Sequence, residues 1–200
     1  FMLAHRAAVP VTDRGFLFGD AVFETIRLEQ GVPYQWELHL ARLAQGLRAL
    51  KIAAPEIDWA DYVRRLIHKN RSGEGFLRIA VSRGSGSRGY VPYPPAMPVT
   101  WVMEQLPALP PMDAPCRLWL SSLARIPLSA LPVNSKLAQG VGSTLAMLEA
   151  REQDCDEALQ LNIQGMVCEA ASANIFWIMG GVLHTTPLDS GCLNGTTREA

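Results

Sequence analysis

Between Ala158 and Leu188 the chain carries a single charged residue, Glu169, and this apolar stretch limits the folds open to the sequence. Gly165 and the pair Gly180-Gly181 divide it into short pieces, each of about the length of a β-strand and too short for a membrane-spanning helix. The pattern predicts two β-hairpins, with strands over residues 157–163 and 166–169, and over 174–179 and 182–186.

The remaining sequence alternates helical and strand-like patterns. Trp36 to Lys51 and Asp58 to Asn70 place apolar residues at helical spacing. Strands are predicted over residues 21–28, 32–35, 75–82, 97–106 and 116–121, and a further helix over about 137–152, where Gly140 and Gly142 suggest close packing. This order predicts an α/β (α+β) chain with a small N-terminal α/β domain over 1–107, a proline-rich linker over 108–115 and a C-terminal domain over 116–200.

Charge and cysteine content narrow the possible partners. The 200 residues carry a formal net charge of −1 and no long basic run, which argues against nucleic acid or an anionic membrane as the main partner. The four cysteines lie far apart without a Cys-x-x-Cys pair, so no zinc ribbon, disulfide framework or other metal site is predicted. This cysteine usage, with no signal-peptide pattern at the start, predicts a cytoplasmic protein.

Lys136 is the only charged residue between Ile126 and Leu148, whereas the other two lysines, Lys51 and Lys69, lie at the polar ends of amphipathic segments. Removing an ammonium group from water favours the neutral amine, and a neutral amine attacks carbonyl carbons to form Schiff bases. The alternative is a lysine whose ammonium group reaches solvent while its stem packs on apolar neighbours. Lys136 is therefore a candidate nucleophile that the sequence alone does not decide.

Glu169 and the end of the chain supply two further candidates. Glu169 lies among small residues and needs a partner there, which is either an arginine of the chain or the protonated nitrogen of a heterocycle. Gly195-Thr196-Thr197 precedes a predicted helix start, where backbone N–H groups bind anions, although ordinary N-capping gives the same pattern.

Two arginine-containing stretches of the first half are candidate anion sites. His39 and Arg42 are three residues apart on one helix face, a spacing also typical of a solvated helix edge. Arg83 and Arg88 enclose the glycine-rich run 84–87, which suits a carboxylate or phosphate ligand and equally a flexible hairpin tip. A lysine for a Schiff base, an isolated carboxylate and an anion site together are what pyridoxal 5'-phosphate (PLP) requires.

The ordered set of motifs resembles the class IV, fold-type IV PLP enzymes, which include branched-chain and D-amino-acid aminotransferases and aminodeoxychorismate lyase. The resemblance runs from about Asp13 to Arg198. The matching motifs are Asp13-Arg14-Gly15, Phe18-Gly19-Asp20, His39-Leu40 with Arg42-Leu43, Lys136, Glu169 with Ser172 and Asn174-Ile175-Phe176, and Gly195-Thr196-Thr197-Arg198.

The resemblance implies a fold, a cofactor and a set of site residues. The fold is that of a two-domain enzyme, with a small N-terminal α/β domain, a larger C-terminal pseudo-barrel domain, PLP between them, and assembly as a homodimer. The catalytic residue is Lys136, which forms the Schiff base with PLP. The implied cofactor ligands are Arg42, Lys136, Glu169, Ser172, Asn174, Thr196 and Thr197, with Glu169 on the pyridine nitrogen and Arg42, Thr196 and Thr197 on the phosphate. The implied substrate contacts, for a small amine that bears a carboxylate, are Arg88 (on the carboxylate), Tyr90 and Phe23.

Three features bear on the reaction. The segment from Ser82 to Tyr90 resembles the loop of aminodeoxychorismate lyase, which releases pyruvate and leaves the folate precursor 4-aminobenzoate, and its two arginines would suit a dicarboxylate. Phe23-Glu24 is more similar to the aminotransferase pattern, and Gln139 stands where both groups usually carry Asn or Tyr. The lyase is the preferred prediction, and an aminotransferase for D-amino or branched-chain amino acids is the alternative.

Two further expectations concern the chain as a whole. A degenerate family member could bind or assemble without catalysis, but the retained Lys136 and Glu169 argue against this. The sequence stops where its last predicted helix would begin, which leaves the strands of the C-terminal domain without cover. We therefore expect that part of the C-terminal domain is missing.

Overall fold

A computed structural model describes residues 1–94, 97–110 and 114–200. The chain divides into two compact units, one made of residues 1–110 with 136–138 and the other of 111–135 with 139–200. Residues 111–113 of the predicted 108–115 linker lie outside the described residues, so the predicted domain bounds stay a prediction. In the described ranges, no helix combines the length and the apolar composition that a bilayer crossing needs.

The first unit is built on a four-stranded antiparallel sheet in the order β2-β1-β3-β4. Its strands are β1 (Ala21–Glu29), β2 (Val32–Pro33), β3 (Gly75–Ser82) and β4 (Thr100–Leu106). Its helices are α1 (Arg14–Phe18), α2 (Trp36–Ala49) and α3 (Trp59–Asn70). The two amphipathic helices predicted from spacing are thus confirmed, and Asp58 begins α3 as its N-cap by accepting from Asp61 N–H at 3.0 Å.

Side-chain alternation along β1 places one row of residues in the core. Buried apolar residues of the sheet and of the two longer helices form this core: Val22, Ile26, Leu28, Leu77, Ile79, Val81, Leu43, Leu47 and Val63. Glu24 lies in the same row of β1 and is also fully buried, whereas Phe23 lies on the opposite face of the sheet and is half-buried. One strand therefore presents a carboxylate to the helices and an aromatic ring to the other side.

The second unit contains two small sheets. The first has the order β5-β6-β7, and the second is the hairpin β8-β9. The strands are β5 (Leu118–Leu120), β6 (Glu157–Leu161), β7 (Val167–Ala170), β8 (Phe176–Met179) and β9 (Val182–Thr185), and the helices are α4 (Val141–Glu152) and α5 (Thr196–Glu199). Both predicted hairpins are confirmed, because β6 pairs with β7 and β8 with β9 in antiparallel register.

Two local predictions were wrong. The helix predicted from about Leu137 begins only at Val141, because Leu137 forms a β-bridge with Val22 instead. The close packing inferred for Gly140 and Gly142 is absent, since a Cβ on either would have no atom of the described residues within 4 Å.

The segment 13–20, predicted to be a glycine-punctuated loop, contains the short helix α1. Asp13 begins this helix by accepting a hydrogen bond from Gly15 N–H at 2.8 Å, and Gly19 ends it in the left-handed region at φ 67°. Five residues are too few for a periodic pattern, so the helix depends on its two caps rather than on an apolar stripe.

Candidate functional site

Lys136 lies on a three-residue segment that runs along the edge of β1 in the first unit. Phe23 N–H donates to the carbonyl oxygen of Lys136 at 3.1 Å, and Ala138 N–H donates to that of Ala21 at 2.9 Å. The lysine side chain is half-buried, and its Nζ lies 4.7 Å from the centroid of the Phe23 ring. Backbone pairing therefore brings together the predicted catalytic lysine and one predicted substrate contact.

The Phe23 ring also contacts a second cation. Arg78, on the neighbouring strand β3, has its guanidinium carbon 4.4 Å from the ring centroid. Aromatic faces attract cations electrostatically, so Phe23 contributes to holding both charged groups at this face of the sheet. No pattern in the sequence points to Arg78, because its position depends on the register of β1 against β3, in which Thr25 faces Arg78.

Glu24, His39 and Arg42 form a buried charged cluster between β1 and α2. Arg42 donates from Nε to Glu24 Oε1 at 2.7 Å and from Nη2 to Oε2 at 2.6 Å, and His39 Nδ1 lies 2.7 Å from Oε2. The solvated helix edge considered for His39 and Arg42 is therefore wrong, since both are at least nine-tenths buried. Burial by itself would raise the pKa of Glu24, but the hydrogen bonds from Arg42 and then His39, with their charges, hold that pKa below its ordinary value.

Glu24 is a residue whose role sequence reasoning missed. It was noted only as part of a family pattern, yet it fixes the guanidinium plane of the predicted phosphate ligand, Arg42, through a bidentate contact. The signal available in the sequence was a carboxylate in the buried row of an alternating strand, because such a group needs a cationic partner.

Arg83 and Arg88 have different environments, which the sequence did not predict. Arg83 donates to both carboxylate oxygens of Asp20, at 2.7 and 3.0 Å, and to the carbonyl oxygens of Leu50 and Lys51, at 2.6 and 2.8 Å. These contacts commit its guanidinium to the fold, so the idea that two arginines of this loop are available to a dicarboxylate is wrong for Arg83. Arg88, by contrast, is exposed.

Asp20 is shared between Arg83 and Arg14. Burial raises its pKa, and the hydrogen bonds from Arg83 and Arg14 outweigh that effect and hold the pKa below its ordinary value. Tyr90, the other predicted substrate contact of this loop, is 87% exposed, and its ring centroid lies 5.5 Å from that of Phe18. The first unit thus presents Arg88 and Tyr90 on a segment anchored from below.

Glu169 is the buried carboxylate of the second unit. Arg125 Nε lies 2.6 Å from its Oε1, in an ion pair whose N–H does not point along the hydrogen-bond direction. Its Oε2 accepts from Leu193 N–H at 2.9 Å and, more weakly, from Asn174 Nδ2 at 3.4 Å. The arginine partner considered for Glu169 is therefore present, and its role toward a heterocycle stays a prediction.

Arg125 was missed, although the signal for it was available. It is the only charged residue between Arg117 and Lys136, which is the same isolation that singled out Lys136 and Glu169. An isolated charge in an apolar stretch is costly to bury, and the second unit meets this cost by pairing two such residues.

The remaining predicted ligands of the second unit lie in different surroundings. Asn174 Nδ2 also donates to the carbonyl oxygen of Leu193 at 2.8 Å, and its side chain packs so closely on Gly195 that no Cβ fits there. Thr196 is buried and Thr197 is exposed at the start of α5. The exposed Ser172 donates its hydroxyl to Glu157. The structure thus brings Asn174 to Glu169, whereas Ser172 has a different partner.

The residue types present match the functional groups of PLP. The first unit supplies the amine of Lys136 and the guanidinium of Arg42, and the second unit supplies the carboxylate of Glu169 and the hydroxyl groups of Thr196 and Thr197. The hydroxyl of Ser135, directly before Lys136, is buried without a hydrogen-bond partner among the described residues. Over those same residues, no group of three or more His, Cys, Asp or Glu side chains is placed to hold a metal ion.

Comparisons with known proteins agree with this donor set. Residues 21–200 match a family model described as "Amino-transferase class IV". The chain is 32% identical over 197 residues to a putative branched-chain-amino-acid aminotransferase of Methanocaldococcus jannaschii, covering 96% of this chain and 68% of the relative. It is 30% identical over 194 residues to an aminodeoxychorismate lyase of Vibrio harveyi, covering 94% and 68%.

The fold prediction is confirmed by solved structures. One is a branched-chain amino acid aminotransferase of T.th., solved with pyridoxamine 5'-phosphate, which is 26% identical and superposes with a TM-score of 0.86 over all of this chain and 68% of the other. The mixed α/β architecture is therefore that of the fold-type IV enzymes, of which this chain spans about 70% of the length.

Proposed function

We propose, since this chain belongs to the class IV aminotransferase family of PLP-dependent enzymes, that it is an aminodeoxychorismate lyase. Its reaction would release pyruvate from 4-amino-4-deoxychorismate and leave 4-aminobenzoate for folate biosynthesis. The observation that carries the proposal is the segment 82–90, whose sequence resembles the lyase loop and whose Arg88 is exposed and available to a carboxylate. The lyase relative of Vibrio harveyi supports the same assignment.

Lys136 is the residue we assign to covalent binding of the cofactor and to proton transfer. When bound, PLP supplies an electron sink that acidifies the α-proton of the substrate. Once the substrate amine has displaced Nζ, the freed amine of Lys136 takes the α-proton as a general base. Phe23, whose ring contacts Nζ, limits the positions that this flexible side chain adopts.

The other assigned residues bind and orient. Glu169 accepts a hydrogen bond from the protonated pyridine nitrogen and so keeps the proton on that atom. Arg42, with Thr196 and Thr197, binds the phosphate, and Ser172 and Asn174 complete the cofactor ligands. Arg88 binds a substrate carboxylate, and Tyr90 and Phe23 contact the rest of the substrate. Of these, Arg42 is held in one orientation by Glu24 before any ligand arrives.

An aminotransferase is the second candidate, and the contacts of Arg83 favour it. Because Arg83 binds Asp20 and two carbonyl oxygens, the loop offers one arginine rather than two to a substrate. A single carboxylate contact suits an ordinary amino acid better than a dicarboxylate. The relative from Methanocaldococcus jannaschii supports this second assignment.

We also propose a homodimer in the cytoplasm, with a domain boundary near 108–115. Apolar side chains near the start of the chain are exposed and suit a subunit interface: Phe1, Met2, Leu3, Val9, Val11, Phe16 and Leu17. The four cysteines are free thiols, which fits a reducing compartment. Light scattering of the purified protein would give the mass of the assembly.

Product analysis distinguishes the two reactions. Enzyme loaded with PLP and given 4-amino-4-deoxychorismate, without a keto acid, should release pyruvate and 4-aminobenzoate in equal amounts over many turnovers. Lys136→Ala, the control, should keep its fold and release neither. If the wild type forms no aromatic amine, and an amino acid instead converts the cofactor to its amine form and stops until a keto acid is added, the lyase assignment is wrong and the aminotransferase replaces it.

A further inference from the structure

We propose that Arg14 is a positioning residue that holds the segment Ser87–Tyr90 in the conformation that binds substrate. The inference rests on the proposed role of Arg88 and Tyr90 as substrate contacts. Arg14 itself touches neither the substrate nor the cofactor in this proposal, and it acts through the backbone of the segment. It is 3% exposed, although it lies on a five-residue helix at the surface of the first unit.

The guanidinium of Arg14 binds carbonyl oxygens on both sides of Arg88. Nη1 donates to Ser87 O at 3.2 Å and to Gly89 O at 2.7 Å, and Nη2 donates to Tyr90 O at 3.1 Å. The backbone is thus fixed directly before and directly after the residue whose side chain would meet a carboxylate. Hydrogen bonds to a charged donor are the stronger ones, so these contacts fix the segment more firmly than neutral contacts would.

The segment has little other support among the described residues. It lies outside the strands, and residues 88–91 are exposed. Its further hydrogen bonds run from Ser87 N–H to Tyr93 O at 3.1 Å and from Ser87 Oγ to Val91 O at 2.7 Å. The backbone of Arg14 adds an anchor at the other end of the loop, since its N–H donates to Gly84 O at 2.9 Å. One residue therefore holds both ends of the loop that carries Arg88.

Phe18, one helical turn after Arg14, holds the ring of Tyr90. The guanidinium carbon of Arg14 lies 4.8 Å from the centroid of the Phe18 ring, and the Phe18 and Tyr90 centroids are 5.5 Å apart. Helix α1 is in turn tied to the sheet, because Asp13 accepts from Ser82 Oγ at 2.8 Å. The short helix thus transmits the rigidity of the sheet to both predicted substrate contacts of the loop.

Arg83 provides a matched control for Arg14. Both arginines bind Asp20, Arg14 through Nε at 3.1 Å and Arg83 at 2.7 Å, and both bind backbone carbonyl oxygens. The carbonyl oxygens bound by Arg83 belong to Leu50 and Lys51, outside the segment. A lysine at either position keeps the charge near Asp20 but lacks the planar fork that reaches several acceptors at once.

Amide hydrogen exchange of the holoenzyme tests the structural half of the proposal. In Arg14→Lys, the amides of residues 87–91 should exchange about tenfold faster or more than in the wild type, because the opening of the segment loses its strongest contacts. In Arg83→Lys, the thermal midpoint should fall by a similar or larger amount while exchange over 87–91 stays within about twofold. Equal exchange of that segment in the two variants would overturn the proposal, since Arg14 would then be only a general stabiliser.

Kinetics test the functional half. Arg14→Lys should raise KM for the substrate about tenfold and change kcat by no more than about threefold, because substrate capture rather than proton transfer depends on the segment. The absorbance of the bound cofactor should be unchanged. A lower kcat with unchanged KM would contradict the assignment.

The failure of this proposal is distinguishable from that of the proposed function. If Arg88→Lys leaves KM unchanged, the substrate role of the loop is wrong, whatever Arg14 does. If Arg88→Lys raises KM and Arg14→Lys does not, the positioning role alone is wrong. Should Arg14→Lys fail to fold, Phe18→Leu removes the ring between Arg14 and Tyr90 and should give faster exchange at residues 89–91, whereas wild-type exchange there would overturn the proposal.

Discussion

Glu24 and Glu169 are both nearly inaccessible to solvent, but the two units hold them in different ways. Glu24 binds side chains from one helix: the fork of Arg42 takes both oxygens and His39 shares one of them. Glu169 combines an ion pair to Arg125 with a backbone N–H, that of Leu193, and a long contact to Asn174. The first carboxylate is built into a rigid helix–sheet packing, and the second is held mainly by residues outside regular structure.

This difference indicates different roles. A carboxylate that binds both edges of an arginine fork fixes the plane of that arginine, so Glu24 acts by orienting Arg42 for its proposed phosphate contact. A carboxylate held at its edges by an N–H and an arginine stays ionised in the core and suits the proposed hydrogen bond to a protonated ring nitrogen. The comparison therefore predicts that loss of Glu24 affects stability first and loss of Glu169 affects turnover first.

The largest expected effect is the loss of stability in Glu24→Ala. This variant leaves Arg42 and His39 buried without their carboxylate, and removing one partner of a buried pair costs about 3–5 kcal/mol in the free energy of unfolding. Glu104→Ala is the matched control, because Glu104 lies half-exposed at 4.0 Å from Arg78 on the same sheet and should cost no more than about 1 kcal/mol. Urea unfolding measures both, and a similar loss in the two variants would show that the buried cluster contributes nothing special.

The next effect is on turnover in Glu169→Gln. The amide still accepts a hydrogen bond from Leu193 N–H but no longer stabilises a proton on the ring nitrogen, so the turnover rate should fall about a hundredfold or more while the cofactor stays bound. The control is Glu149→Gln in the same unit, where the carboxylate binds Ser121 and Ser122 and turnover should stay within about twofold. Turnover of Glu169→Gln within about twofold of wild type would make Glu169 a structural partner of Arg125 only.

The smallest effect is a pH dependence that belongs to Glu24. Its pKa in the folded chain lies below the ordinary value of 4.5, so its charge stabilises the fold above pH 4.5 and this contribution disappears as the pH falls through the folded pKa. The difference in unfolding free energy between wild type and Glu24→Gln should therefore shrink on acidification, by on the order of 1–2 kcal/mol. A difference that stays constant from neutral to acidic pH would mean that Glu24 is not ionised in the fold.

The sequence predicted the elements whose signal is local. Helices α2 and α3 and both hairpins follow from spacing within each segment, because an apolar stripe or an alternating strand needs only the next few residues. The short helix α1 and the extended segment at Leu137 escaped prediction, since the first depends on caps and the second on a bridge to Val22, more than a hundred residues away. Such long-range pairing leaves no periodic pattern in the sequence.

The candidate site shows the same division. Isolation of a charge found Lys136 and Glu169 and would also have found Arg125, because burial of a charged group demands a partner wherever that partner lies. The partners themselves were not predictable: Glu24 and Arg42 are 18 residues apart, and Arg14 is 76 residues from Tyr90. Whether an arginine in a glycine-rich loop is free for substrate, as with Arg83 and Arg88, depends on which neighbours fold against it.

Reduction of the cofactor-loaded wild type with borohydride, followed by peptide mapping, tests most directly whether Lys136 is the residue that binds PLP. The chain has only three lysines, at 51, 69 and 136, so the position of the label is unambiguous. We expect the cofactor on the peptide that contains Lys136 and an unlabelled chain in Lys136→Ala. A label on Lys51 or Lys69, or no label on a protein that has taken up the cofactor, would contradict the account.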